Sequence, residues 1–153
     1  MKVVTLLTLF SFFTLAVAQE HHKRHSIDLF LGAALETKTN NKDETGMAYG
    51  LEYTYHINKD FGLGVALETL RNETLRELIV VVPVTYHINA QWSIFAGPGY
   101  EKGDHEGQYL LRVGLGYTYA LGDGFVLEPK VMLDAIESGR MTWVGGVSLG
   151  YGF

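Results

Sequence analysis

The sequence predicts an all-β fold, an eight-stranded antiparallel up-and-down barrel whose apolar face turns outward into lipid. Three observations lead there. Apolar residues recur at every second position over eight runs of ten to thirteen residues, tight and longer connections alternate strictly between the runs, and one face of each run carries almost no charge. The 153 residues are enough for one domain. With no Cys there is no disulfide framework, thiolate metal site or cysteine nucleophile. A net charge of -5 without a basic cluster excludes nucleic acid as a partner.

The first element is not part of the barrel. Met1-Lys2 precedes an apolar run from Val3 to Val17, and Ala16-Val17-Ala18 offers the small residues that signal peptidase requires before Gln19. The run is short for a membrane anchor and no stop-transfer pattern follows. Residues 1–18 are therefore expected to be a signal peptide, 19–25 a flexible His-rich N-terminus, and 26–153 the barrel domain.

The predicted strands are 26–36, 47–57, 61–71, 77–88, 92–102, 108–120, 125–134 and 141–153. Tight turns fall at 58–60, 89–91 and 121–124; longer, more charged connections fall at 37–46, 72–76, 103–107 and 135–140. A weak repeat marks the tight turns: Tyr53-Thr54-Tyr55-His56-Ile57-Asn58, Thr85-Tyr86-His87-Ile88-Asn89 and Tyr117-Thr118-Tyr119 each run into a turn that ends at Phe61, Trp92 or Phe125. Three similar hairpins follow from it.

Sorting each run by parity separates two faces. In the first, Ile27, Leu29, Leu31, Ala33 and Leu35 oppose Ser26, Asp28, Gly32, Ala34 and Glu36; in the last, Trp143, Val147, Leu149, Tyr151 and Phe153 oppose Val144, Gly146, Ser148 and Gly150. All nine Tyr and both Trp fall on the apolar face, where the only charges are Arg71 and Lys102 at strand ends. The other face collects Asp28, Glu52, His56, Glu68, Thr85, His87, Glu101, Arg112, Thr118, Glu128, Lys130 and Asp134, padded with Gly and Ala. An eight-stranded interior cannot hold so many rings, so the small and polar face belongs inside. Eleven residues at ~3.3 Å rise and a tilt of about 40° stand on the order of 28 Å tall, close to the apolar band of a membrane barrel. Tyr55, Phe61, Tyr86, Trp92, Tyr119, Phe125, Tyr151 and Phe153 at the short-turn end, with Tyr49, Tyr100, Tyr109 and Trp143 toward the other, read as two aromatic girdles.

With these features the mature chain resembles the small eight-stranded outer-membrane barrels of Gram-negative bacteria, the OmpA-type and OmpX-type group. The terminal Ser148-Leu149-Gly150-Tyr151-Gly152-Phe153 is similar to the signal that the barrel-assembly machinery reads in that group, with Phe153, Tyr151, Leu149 and Val147 at alternate positions. Ser148 stands where a glycine is often found. The resemblance implies a bacterial outer-membrane location, both termini and the short turns in the periplasm, and the longer loops outside.

Chemistry has few candidates. Some relatives in the group modify lipids with a His and a Ser or acidic partner. His56 and His87 lie at the wrong end for outer-leaflet substrates, and His105 beside Asp104 and Glu106 reads as a solvated turn. The cluster His21, His22, Lys23, Arg24 and His25 could capture a metal but reads as a solvated terminus. No catalytic residue, cofactor or metal is assigned. The inward charges are the better lead: Arg112 and Lys130 are expected to neutralise Glu52, Glu68, Glu128 and Asp134 in a rigid plug. Three functional classes stay open. The leading one is a monomeric structural or surface-interaction barrel, touching outer-membrane lipid and lipopolysaccharide phosphates through Lys38, Lys42, Arg71, Arg76, Lys102 and Arg140. The alternatives are a small gated pore, cation-preferring because acid exceeds base inside, and an outer-membrane lipid-modifying enzyme.

Overall fold

The computed structural model describes residues 23–37, 44–71, 76–103 and 107–153. The expected signal peptide, residues 19–22, and Lys38, Lys42 and His105 lie outside the described residues.

Alternating patterns with few central prolines form the strands β1 (His25–Thr37), β2 (Glu44–His56), β3 (Phe61–Arg71), β4 (Arg76–Val81), β5 (Val84–His87), β6 (Trp92–Lys102), β7 (Gln108–Tyr117), β8 (Tyr119–Gly122), β9 (Phe125–Ile136) and β10 (Met141–Gly152). They make eight staves, because β4 and β5 are halves of one stave and β7 and β8 halves of another. Every neighbour is antiparallel, and β1 pairs with β10 from Ser26↔Gly152 to Thr37↔Met141, which closes the ring. Closure removes the open edges that a sheet would otherwise expose.

The two interruptions fall inside the runs 77–88 and 108–120, read above as unbroken. Pro83 has no N–H to give the ladder. Pairing continues around it through Gly64 N–H to the Pro83 carbonyl at 2.8 Å and Val82 N–H to the Pro98 carbonyl at 3.0 Å. Gly97 permits this approach, since a Cβ there would stand 2.1 Å from the Val82 carbonyl oxygen. In the other stave Thr118 leaves the ladder and donates its N–H to the Gln91 carbonyl at 2.7 Å.

The repeat before the tight turns has a local cause. Asn58 Oδ1 accepts from the N–H groups of Asp60 and Phe61, both at 2.8 Å, and Asn89 Oδ1 accepts from Gln91 and Trp92 at 2.9 and 2.8 Å. Each Asn side chain replaces the backbone partner that the reversing chain loses. The third tight turn uses positive φ instead, at Gly122, Asp123 and Gly124.

Face assignment follows parity throughout. Leu29 and Leu31 are 61% and 60% exposed, while Asp28 between β10 and β2 is 6% exposed. The polar face is inside and the apolar face outside, the reverse of a water-soluble barrel. Register sets outward rings directly opposite one another: Phe61 and Tyr86 lie 5.0 Å apart, Trp92 and Tyr117 4.8 Å, and Phe125 and Tyr151 4.8 Å at the short-turn end, with Tyr100 and Tyr109 5.4 Å apart near the other end.

The interior is less uniformly small and polar than the parity sorting implies. Phe30, Ile79, Val81, Met132 and Val144 are buried in it and Phe95 packs against them. Glycine makes the room: a Cβ on Gly114 would lie 2.3 Å from the Phe95 ring. Burial of each such side chain contributes about 1.5–3 kcal/mol relative to exposure.

Candidate functional site

The inward charges stand on different staves and reach across the barrel in three tiers. In the middle tier, Arg112 on β7 and Asp134 on β9 are register partners. Arg112 donates from Nε and Nη2 to the two Asp134 carboxylate oxygens, both at 2.7 Å. Its Nη1 crosses to Glu68 Oε1 on β3 at 2.5 Å. The planar guanidinium suits this arrangement, holding one carboxylate bidentately while a further N–H remains for the opposite wall. Arg112 is 2% and Asp134 1% exposed, so the group is out of reach of bulk solvent.

Nearer the short turns, Lys130 Nζ lies 3.2 Å from Glu52 Oε2 and 3.5 Å from Glu128 Oε2. Thr54 donates to Glu52 at 3.3 Å and Ser93 to Glu128 at 3.1 Å, satisfying oxygens that one ammonium cannot cover. Lys130 Nζ also stands 5.8 Å from the centre of the Phe95 ring. Asp28 lies directly opposite Glu52 across β1 and β2, adding negative charge to this level.

The third tier lies toward the longer loops. Arg140, the residue before β10, turns into the mouth rather than out to solvent. Its Nη1 donates to Glu36 Oε1 at 2.9 Å and lies 3.7 Å from Glu77 Oε1, and its Nη2 donates to Glu101. Burial works against the Arg140 charge, but the hydrogen bond to Glu36 and the charge of Glu101 outweigh it, holding its pKa above the ordinary arginine value.

The six charges singled out in the sequence thus occupy two separate groups: Arg112 with Glu68 and Asp134, and Lys130 with Glu52 and Glu128. The tier around Arg140 is missing from the sequence reading, which set that residue among the solvated rim bases. Parity carried the signal: Arg140 has the inward parity of β10, and Glu36, Glu77 and Glu101 have the inward parity of their own strands.

With Arg140 withdrawn and Lys38 and Lys42 outside the described residues, the rim set contracts to Arg71, Arg76 and Lys102. The start of β4 at Arg76 sets it directly opposite Arg71, and Lys102 pairs with Leu78 on the next stave. All three point outward, are exposed, and among the described residues form no ion pair. They are the only Lys, Arg, Asp or Glu on the outward face of the described strands.

The last strand displays Val147, Leu149 and Tyr151 outward, with Phe153 following at the same parity. The end of the chain is tied down, Phe153 N–H donating to the His25 carbonyl at 2.8 Å and His25 N–H to the Phe153 carbonyl at 3.1 Å.

A closed ring of eight tilted staves with rings and aliphatic side chains outside and ion pairs inside decides the architecture. The fold is that of the small eight-stranded outer-membrane barrels. Neisserial surface protein A superposes with a TM-score of 0.72 at 13% identity, covering 88% of this chain and 100% of that one. Ail, the attachment invasion locus protein of Yersinia pestis, gives 0.68 at 16% identity over 87% of this chain and 100% of its own. Ail in complex with the heparin analogue sucrose octasulfate gives 0.59 at 16% identity, covering 84% and 97%. No protein-family profile matches the sequence, and no curated protein matches it. The outer-membrane barrel fold is therefore carried here by the alternation of faces and the stave count, with little residue identity.

Proposed function

We propose that this chain is a closed, non-enzymatic barrel of a bacterial outer membrane with a structural and surface-interaction role. The observation that carries this reading is Arg112, bound to Asp134 on its own side and to Glu68 on the far wall, because such a cross-tie blocks the lumen and stiffens it. Activity then resides on the outer surface. There Arg71, Arg76 and Lys102 form one exposed basic patch above the apolar band, suited to the phosphates of outer-membrane lipid and lipopolysaccharide. Ail, of the same fold, is seen with a polysulfated heparin analogue, which supports anion capture on such a surface.

In this reading residues 1–18 are removed on export, and the barrel, whose first strand begins at His25 rather than after it, is a monomer. Both termini and the short turns face the periplasm, and Phe153 with Tyr151 is read by the barrel-assembly machinery. The opposed aromatic pairs at the stave ends, with Tyr55, Tyr119 and Trp143, sit at the two membrane interfaces.

A second reading is favoured by one specific observation. The three tiers hold Arg112, Lys130 and Arg140 against eight inward carboxylates: Asp28, Glu36, Glu52, Glu68, Glu77, Glu101, Glu128 and Asp134. An acidic lumen would prefer cations if its cross-ties opened, making a small gated pore. Single-channel recording in planar bilayers separates the two. The closed reading expects no resolved conductance in the wild type and none in Arg112→Ala, which loses stability alone; steady wild-type conductance, or a new conductance step in Arg112→Ala, overturns it in favour of the gated pore.

A further inference from the structure

Arg71, Arg76 and Lys102 are gathered on one flank of the long-loop end. Arg71 on β3 and Arg76 on β4 are direct register partners, which sets their Cβ atoms about 4.5–5.5 Å apart. Lys102 on β6 faces Leu78, two residues from Arg76, and is the diagonal neighbour of Arg76 at about 7–8 Å. Like charges this close repel one another, and among the described residues none of the three has a carboxylate partner. A bound anion relieves the repulsion. Three cations on long side chains suit more than the single negative charge of a phosphodiester, and a phosphomonoester carries about −1.5 to −2 at neutral pH.

The apolar surface under this patch has a furrow. On β6 the outward residues below Lys102 are Tyr100, Pro98 and Ala96. Tyr100 stands edge-on against Tyr109, and its hydroxyl occupies the place that a Cβ on Gly107 would take, so the ring leans toward the loop end and away from Pro98. Pro98 and Ala96 present short side chains. Their neighbours are taller: Val84 faces Ala96 on one side, and Leu111 and Val113 face Pro98 and Ala96 on the other. From Lys102 to Ala96 the furrow is on the order of 20 Å long at ~3.3 Å per residue.

At Ala96 the furrow opens into a hollow of about 770 Å³. The hollow lies between two rows of outward residues that cross the staves. Val84, Ala96, Val113, Leu133 and Trp143 are successive register partners in one, and the row from Tyr86 to Val131 runs beside it nearer the short turns. Past Val131 the second row ends at Gly145, where a Cβ would have nothing within 4 Å, so no described side chain closes that end.

We propose that this flank binds one phosphorylated glycolipid of the outer leaflet, with phosphomonoester groups on Arg71, Arg76 and Lys102 and one acyl chain laid along β6 into the hollow. The site rests on the surface-interaction reading and adds to it a seat for the lipid chain and a stoichiometry of one. Guanidinium and ammonium groups hold phosphate oxygens through charge-assisted hydrogen bonds, and a chain in the furrow gains dispersion contacts on both walls. No other part of the outward face of the described strands carries Lys, Arg, Asp or Glu, so one such lipid is held per chain.

The full chain, folded in detergent micelles, is mixed with diphosphoryl lipid A and followed by native mass spectrometry. Arg71→Ala/Arg76→Ala, Ala96→Phe and Leu51→Phe are run beside it, each checked for heat-modifiable mobility. One lipid per wild-type chain is expected, with retention at least tenfold lower in the arginine variant and at least threefold lower in Ala96→Phe, which fills the furrow. Leu51→Phe, outward on β2 and three staves from β6, should match wild type. Inositol hexakisphosphate, an anion without chains, should bind Ala96→Phe as it binds wild type and bind the arginine variant at least tenfold more weakly. Lipid retention in Ala96→Phe equal to wild type overturns the chain seat and leaves the anion-binding surface standing, as does a wild type that binds inositol hexakisphosphate through the arginines and keeps no lipid. Phosphatidylglycerol retained as well as lipid A overturns the choice of a phosphomonoester. If neither anion depends on Arg71 and Arg76, the surface reading falls as well. Should Ala96→Phe fail to fold, Ala96→Leu fills the same space and takes its place.

Discussion

Replacing Arg112 with Ala removes the cation that links β7, β9 and β3. Three hydrogen bonds disappear together, two to Asp134 and one to Glu68, and both carboxylates stay where they are, 1% and 5% exposed. Each lost bond to a charged group is worth about 1.5–3 kcal/mol net, but the larger effect is two buried anions without a counter-charge. Removing one partner of a buried ion pair typically costs about 3–5 kcal/mol, and we expect Arg112→Ala to fall in that range. Arg71→Ala is the control: it lies at the outward rim in no ion pair among the described residues, so its removal should change stability by less than about 1 kcal/mol. Urea unfolding of both variants in lipid vesicles, followed by Trp fluorescence and by heat-modifiable mobility, measures the difference. Asp134→Asn combined with Arg112→Ala should recover part of the loss, because one of the uncompensated charges is then gone. Equal unfolding midpoints for Arg112→Ala and wild type would refute the reasoning, since a cross-lumen tie with no energetic consequence cannot stiffen the barrel.

Gly114→Val drives a side chain into the space of Phe95 and should cost about 1–3 kcal/mol in the same assay, with Phe95→Ala restoring part of it. Asn89→Ala leaves the N–H groups of Gln91 and Trp92 without their Oδ1 acceptor, and should destabilise by about 1 kcal/mol and slow closure of that hairpin in stopped-flow refolding. An epitope inserted after Asn41 should be labelled on intact cells and one at Lys59 should not; the opposite pattern reverses the proposed orientation. Deletion of Phe153 should lower the membrane-inserted, heat-modifiable fraction and leave protease-sensitive chain, and unchanged insertion removes its assembly role.

Period two is a local property. Alternation in Ile27, Leu29 and Leu31 against Asp28 requires only that successive side chains leave a strand on opposite sides, so the sequence alone determined the eight staves and their two faces. The tight-turn sites were legible for the same reason, since Asn58 and Asn89 act on residues two and three positions ahead. Parity, however, says which wall a side chain leaves and not how high it stands against a stave three places round the ring. That depends on register and tilt, which are set by every pairing at once. Tertiary structure therefore decided that Arg112 meets Glu68 while Lys130 meets Glu52, and that Arg140 folds into the mouth between Glu36, Glu77 and Glu101. It also decided that Pro83 divides a stave without breaking the barrel, because Gly64, Gly97 and Pro98 on the flanking strands supply the room and the hydrogen bonds. The sorting of apolar from polar was written residue by residue; the partners across the lumen exist only once the ring is closed.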